Sequence, residues 1–297
     1  MQAGLLVAVI AVGYLLRRFG VVPKEAFGVV SKIVLWITLP AVVIRNFART
    51  ELNLEYLVMI SVGFSCMALF VTLGWLINRR RGVNAQVFDM LNLMGFNIGC
   101  FALPYITGLL GAEAVVAVCM FDAGSALGST GAVNQICRSM QEGKGLQIGV
   151  ILKRLAKTFL LLVYLVMIVL RLLRVSIPDV VVRFCDLCGN ANAFLAMLMI
   201  GFGMNLSIPK AQWRWIGKTL LVRYGIAIPL ALCFWLLLPF SQEVRLGAAV
   251  AVLAPIATLA PPFTLERGGD YALSSSWTTL TILVSLALMT GFLLLTH

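Results

Sequence analysis

A chain of 297 residues that is 61% apolar and only 12% charged, with a mean hydropathy of +1.00, excludes a soluble globular domain, whose charged fraction is about twice as high. The net charge of +11 does not mark a nucleic-acid binder, because the Lys and Arg stand in short stretches between apolar runs, where such charges set membrane orientation. Seven cysteines scattered mostly through apolar runs exclude a disulfide framework.

Ten apolar spans follow one another, most of a length that suits a membrane helix. Span 1 covers 3–16 and is closed by Arg17-Arg18. Its positive charge follows the apolar run, the reverse of a signal peptide, and its shortness leaves open whether Met1 is the native start. Span 2 covers 26–44 and carries Pro40, and span 3 covers 54–77 and ends at Arg79-Arg80-Arg81. Span 4, 87–110, holds Asn92-Leu-Met-Gly-Phe-Asn-Ile-Gly-Cys-Phe-Ala-Leu-Pro104. Span 5, 114–136, contains Asp122, the one acid well inside a span, with Ser125 and Ser129 at helical spacing.

The polar interval 138–157 reads as the joint between two halves, 1–140 and 141–297. It includes an amphipathic stretch (Leu146, Ile148, Ile151, Leu152, Leu155) suited to the membrane interface. Spans 6 and 7 cover 158–173 and 187–206. Span 8, 215–240, carries Arg223 and Pro229. Span 9, 246–262, is interrupted around Pro255, Thr258, Pro261 and Pro262, and span 10 covers 271–296.

Two spans contain residues that a lipid-facing helix avoids. Pro104 lacks a backbone donor and its ring clashes with the preceding turn, and Gly95 and Gly99 lower helix propensity. Irregular backbone at membrane depth survives only against protein or a wet cavity. Interrupted spans at matching places in two halves point to a transporter site. Only Arg45, Arg49, Arg171, Arg174, Arg183 and Arg245 of the 23 Lys and Arg fall outside if both termini are outside, which fixes that orientation. Five spans per half then require the second half to be inverted.

Several residue sets together resemble a known family: Gly13-Tyr-Leu-Leu-Arg-Arg-Phe-Gly20, Leu39-Pro40-Ala41, Asn97-Ile-Gly99 with Leu103-Pro104, Ile200-Gly-Phe-Gly-Met-Asn-Leu206, and Pro255 to Glu266. Their order and spacing, over essentially the whole chain, resemble bacterial members of the auxin efflux carrier family, relatives of the plant auxin carriers. The resemblance implies an all-α membrane protein of ten helices in two inverted five-helix repeats, with broken helices 4 and 9 crossing, the fold shared with sodium-coupled bile acid carriers. It also implies alternating-access transport of small organic anions, auxin-like or other carboxylates, proton-linked or as a uniporter. The chain departs from the family at Lys157-Thr158, where relatives often carry proline, and at Asn192-Ala193-Phe194, where they often carry Pro-Leu. Nor does Asn adjoin Pro255 or Pro261-Pro262. These departures bear on the substrate more than on the fold.

A broken helix offers a positive N-terminal end that attracts anions. The expected substrate site is therefore the crossing: Asn97, whose amide carries two donors, with Gly99, Pro104, Pro255, Thr258 and Pro261. An ionisable group inside the membrane is a functional candidate by default, so Asp122, Ser125 and Ser129 are the expected coupling or gating group. The plainer reading there is a packing seam through Gly124 and Gly128. Arg223 either attracts anions to an inner vestibule or snorkels to the headgroups. Glu266 and Asp270 read as solvated loop charges.

Other classes are less well supplied. A sodium-coupled symporter of the same fold is the alternative within the class, although no acid stands near either break. A channel is the alternative outside it. An enzyme would need a Ser–His pair or paired aspartates, and His297 is the only histidine. The CxxC at Cys185 and Cys188 stands alone. No phosphate-binding loop motif occurs. The expected setting is the inner (plasma) membrane, with a small organic anion and the bilayer as partners and a homodimer left open. No cofactor, metal or nucleic acid is expected.

Overall fold

A computed structural model describes residues 2–23, 25–204 and 213–296. Met1, Asn205, Leu206 and His297, which figure in the sequence reading, lie outside the described residues.

Every regular element among the described residues is helical. Helix α1 is Gln2–Arg18, whose two terminal arginines complement the negative end of its dipole. Helix α2 is Ala26–Arg49 and α3 is Leu54–Ile77, the latter capped by Asn53, whose side chain accepts the Tyr56 N–H. Span α4, Val83–Ile106, is interrupted, and α5 is Ala112–Glu142. Helices α6 (Ile148–Ala156) and α7 (Phe159–Leu172) meet at a 74° bend. Helix α8 is Asp179–Gly203 and α9 is Trp213–Leu237. Helix α10, Gln242–Leu253, is capped by Ser241. It is followed by the short α11, Ala260–Glu266, and by α12, Tyr271–Thr296.

Seven of these are long and apolar enough to cross a membrane, or eight if the bent α6–α7 pair counts as one. The chain is a multi-pass helical membrane protein. Several helices outrun the apolar stretches that announced them: α2 continues to Arg49, α5 to Glu142, and α8 begins at Asp179. Charged residues at a helix end can reach water while the backbone stays helical. Asp179, in the first turn of α8, also favours the positive end of the dipole.

Two helix groups emerge from the packing. Helices α1, α2, α7 and α8 pack on one another, and α3, α4, α5 and α9 to α12 form the second group. In the first, Gly13 and Gly201 let α1 and α8 touch backbone to backbone, because a Cβ on either would strike the other helix's main chain. Gly63 and Gly124 do the same for α3 and α5 in the second. The groups meet where α2 and α7 lie on α5 and where α8 lies on the end of α4. The most hydrophobic 18-residue stretches of α4 and α5 are 94% and 89% buried, against 22% for α9. Protein, not lipid, therefore surrounds α4 and α5, and both carry buried polar residues.

Candidate functional site

The first half-helix of α4 stops at Leu93, and the second begins at Ile98. Between them Gly95 adopts φ +64°, a conformation that L side chains rarely take. The break therefore lies at 94–97 and is set by Gly95, not by Pro104. Pro104 instead stands in the first turn of Leu103–Ile106, beyond a widened turn at Ile98–Ala102 that makes room for its ring. The same device serves Pro40, which follows a widened turn at Val34–Thr38 in α2. The second break separates α10 from α11. Pro255 lies within it, and Pro261 is in the first turn of α11, where a missing N–H costs nothing.

The two breaks touch. The Asn97 N–H donates to the Pro255 carbonyl at 2.8 Å. On one side of this contact lie the carbonyl-bearing ends of the first half-helices. Arg223, 0% exposed, donates from Nη1 to the Leu93 carbonyl at 3.2 Å and from Nη2 to those of Gly95 at 3.3 Å and Ala254 at 2.8 Å. Its guanidinium also faces the rings of Phe70 and Phe96, at 5.2 and 5.4 Å. The sequence reading placed Arg223 at a vestibule or in the headgroups; it is buried inside the crossing instead.

On the other side is a cavity of about 580 Å³. The breaks contribute Asn97, Thr258, Pro261 and Pro262 to its wall, α12 contributes Tyr271, Ser275, Thr278, Thr279 and Ile282, and the first group contributes Arg17, Phe27, Met199, Ile200, Gly203 and Met204. The cavity thus lies between the two helix groups, and among the described residues none of its wall is acidic. Thr258 is exposed to it, whereas Asn97 is 4% exposed and its Nδ2 has no hydrogen-bond partner. An unpaired amide donor beside an acid-free cavity can donate to an anionic oxygen. Arg17 is held at the wall by a bond to the Phe202 carbonyl.

Of the six crossing residues expected from sequence, Asn97, Thr258 and Pro261 line this cavity, and Pro255 holds the Asn97 backbone. Gly99 and Pro104 do not line it. Gly99 faces the Leu39 and Leu160 side chains, where a Cβ would come within 3.0 and 3.2 Å, and Pro104 is buried. Arg17 was missed because a charge just after an apolar run reads as an orientation signal.

Asp122 does not reach the cavity. It is 8% exposed; its Oδ2 accepts the Tyr164 hydroxyl at 2.8 Å, and Ser125 Oγ lies 3.5 Å from Oδ1. Ser129 Oγ donates to the Ser125 carbonyl at 3.2 Å, and the Ser129 side chain packs against Gly95. A polar stripe thus runs along α5 from Asp122 to the first break. Gly124 and Gly128 form the expected packing seam, but against Ile60 and Met67 of α3. The acid and the seam occupy different sides of the helix. The Asp122–Tyr164 bond joins α5 of the second group to α7 of the first.

Asp89 is a second buried acid, 0% exposed. Because α4 begins at Val83, Asp89 lies well inside the helix, correcting the view that Asp122 is the sole intramembrane acid. It accepts from Asn78 and, at 2.9 Å, from Trp215 Nε1, tying α3, α4 and α9 together. Glu266 is also no simple loop charge. It accepts from Arg154 at 2.9 Å and Asn134 at 2.8 Å, with Arg267 at 3.5 Å. Burial pushes its carboxyl up, but the Arg154 and Asn134 bonds and the charges of Arg154 and Arg267 outweigh it and hold the group below its ordinary range. Among the described residues no cluster of His, Cys, Asp and Glu could hold a metal.

In comparison with known proteins, no family model and no curated protein matches the chain.

Proposed function

We propose that the protein is a secondary transporter of small organic anions, auxin-like or other carboxylates, which binds its substrate in the cavity beside the two breaks and works by alternating access. The observation that carries this reading is the buried, unpartnered Asn97 amide at a wall that has Arg17 and several hydroxyls but no acid. Phe27, Met199, Ile200 and Ile282 on the same wall suit an apolar body behind a carboxylate head. The volume lies in the range of small-molecule sites, about 300–1,000 Å³.

The proposed architecture is ten spans in two inverted five-helix repeats, 1–140 and 141–297, akin to the auxin efflux carriers. Adding α1 and the interrupted α10–α11 segment to the eight apolar spans supports the count of ten. The meeting of the two breaks supports the crossing. Thr38 Oγ1 donates to Asn192 Oδ1 at 2.8 Å, joining regions that the inverted repeat treats as equivalent. With both termini outside, Arg17 and Tyr271 lie at inner ends of their helices, and the cavity faces the inner side. Transport moves one helix group against the other, and the Asp122–Tyr164 bond is then a tie that opens and closes.

A thermal-shift screen of small carboxylates and auxin-like acids on purified protein and on Asn97→Ala tests this. At least one acid should stabilise the wild type and lose most of that effect in the variant. Equal stabilisation of both, or none in either, would overturn the site.

A further inference from the structure

We propose that the crossing is a cation site filled from within. Arg223 is its tethered cation, and replacing it by a small neutral residue turns the site into one for a free monovalent cation such as Na⁺. This inference concerns the ion chemistry of the crossing and does not depend on the substrate proposed above.

Three carbonyl oxygens converge on the Arg223 guanidinium: Leu93 and Gly95 from the first break and Ala254 from the second. Leu93 and Leu253 end their half-helices, so this is where two negative dipole ends meet. Unwound carbonyls and half-helix C-terminal ends are the groups that coordinate Na⁺ in transporters built on broken helices. Here the positive charge is covalently supplied. No Asp or Glu among the described residues forms an ion pair with Arg223, so carbonyls and the faces of Phe70 and Phe96 compensate the buried charge. A guanidinium and a free cation at these oxygens would repel and overlap, so the native crossing takes no Na⁺.

The test compares melting and radioactive ²²Na⁺ binding of purified wild type, Arg223→Ala, Arg223→Gln and Arg223→Lys in NaCl, KCl and choline chloride at one ionic strength. The wild type should melt at the same temperature in all three salts and bind no ²²Na⁺ that excess Na⁺ displaces. Arg223→Ala and Arg223→Gln should melt lower in choline and regain several degrees in NaCl, with displaceable ²²Na⁺ bound. Arg223→Lys, which keeps a charge on a flexible stem, should fold and stay indifferent to Na⁺. Three results would each overturn the proposal. One is saturable Na⁺ binding by the wild type; another is a folded Arg223→Ala that ignores Na⁺. The third is failure of all three variants, Arg223→Lys included, to fold in any salt, which would show that the crossing needs the shape of the fork and not a cation.

Discussion

The two sides of the crossing are made by the same two breaks, yet their polar groups are answered in opposite ways. On the carbonyl side, a residue of the chain itself reaches in and bonds the ends of both first half-helices. On the amide side, Asn97 keeps a donor with no partner at the edge of a cavity. A buried polar group without a partner costs about 1–3 kcal/mol. The first side thus meets its carbonyls from within the chain, with only the Arg223 Nε left unpaired, whereas the second keeps an unmet demand beside a cavity that a ligand can enter.

The largest expected effect breaks the closed side. Arg223→Met strips donors from three carbonyls at roughly 1–3 kcal/mol each, and the variant should melt far below the wild type. A near-normal melt would mean that the carbonyls find other partners and that the two sides do not differ as argued. Next, Asn97→Ala should leave the melt close to normal while weakening carboxylate binding ten- to a hundred-fold, from a bond to an ionised group worth about 1.5–3 kcal/mol. Titration of the two proteins with one stabilising acid measures this directly.

A third contrast concerns the tie between the helix groups. Asp122→Asn retains an acceptor for Tyr164 and should fold normally, yet lose the pH dependence of transport in reconstituted vesicles. Tyr164→Phe leaves a buried carboxylate short of a bond and should melt lower, by about 1–3 kcal/mol in stability. Wild-type pH dependence in Asp122→Asn would return the acid to a packing role.

Smaller effects follow at the periphery. Because the Glu266 carboxyl sits below its ordinary value of 4.5 when folded, its contribution is complete above that value and is lost as pH falls through the lower folded one. Glu266→Gln should therefore flatten part of the decline in melting temperature between neutral and strongly acid pH. The effect should stay within about 1 kcal/mol, as for other partly exposed ion pairs. Pro104→Ala should be the mildest change, within roughly 1 kcal/mol, since the break lies upstream of it. Gly95→Ala should cost more: it adds about 1–2 kcal/mol of left-handed strain and drives a Cβ into Ser129. A larger defect from Pro104→Ala than from Gly95→Ala would place the cause of the break back at the proline.

The membrane class, most span positions and both interruptions could be read from residue order, because lipid imposes a strong and simple pattern on apolar length. Asn97, Thr258 and Pro261, which line the cavity, stood out for the same reason: polar and helix-breaking residues are conspicuous in an apolar run. The first break was legible as a cluster of Gly95, Gly99 and Pro104, but residue order does not say which of them makes the turn, and it is Gly95. Arg17 and Arg223 were misread because sequence shows where a long side chain is rooted, not where its end arrives, and Asp89 was passed over because the helix begins at Val83, before the apolar run. Arg17 stands at a helix end, as topological charges do, but reaches a cavity. Arg223 was expected at an inner vestibule or in the headgroups and instead turns inward to carbonyls, two of them contributed by a segment more than a hundred residues away in sequence.

The contact between Asn97 and Pro255 has a mechanical consequence. Proline offers a carbonyl but no N–H, so Pro255 can receive the Asn97 bond and cannot return one. A reciprocal pair of bonds would fix the relative twist of the two strands of backbone. The backbone contact alone is one bond at a point; what sets the mutual twist of the two breaks is the Arg223 fork, which holds the Leu93 and Gly95 carbonyls of one and the Ala254 carbonyl of the other. The angle between the spans is thus governed by a side chain from a third helix and not by the place where they touch.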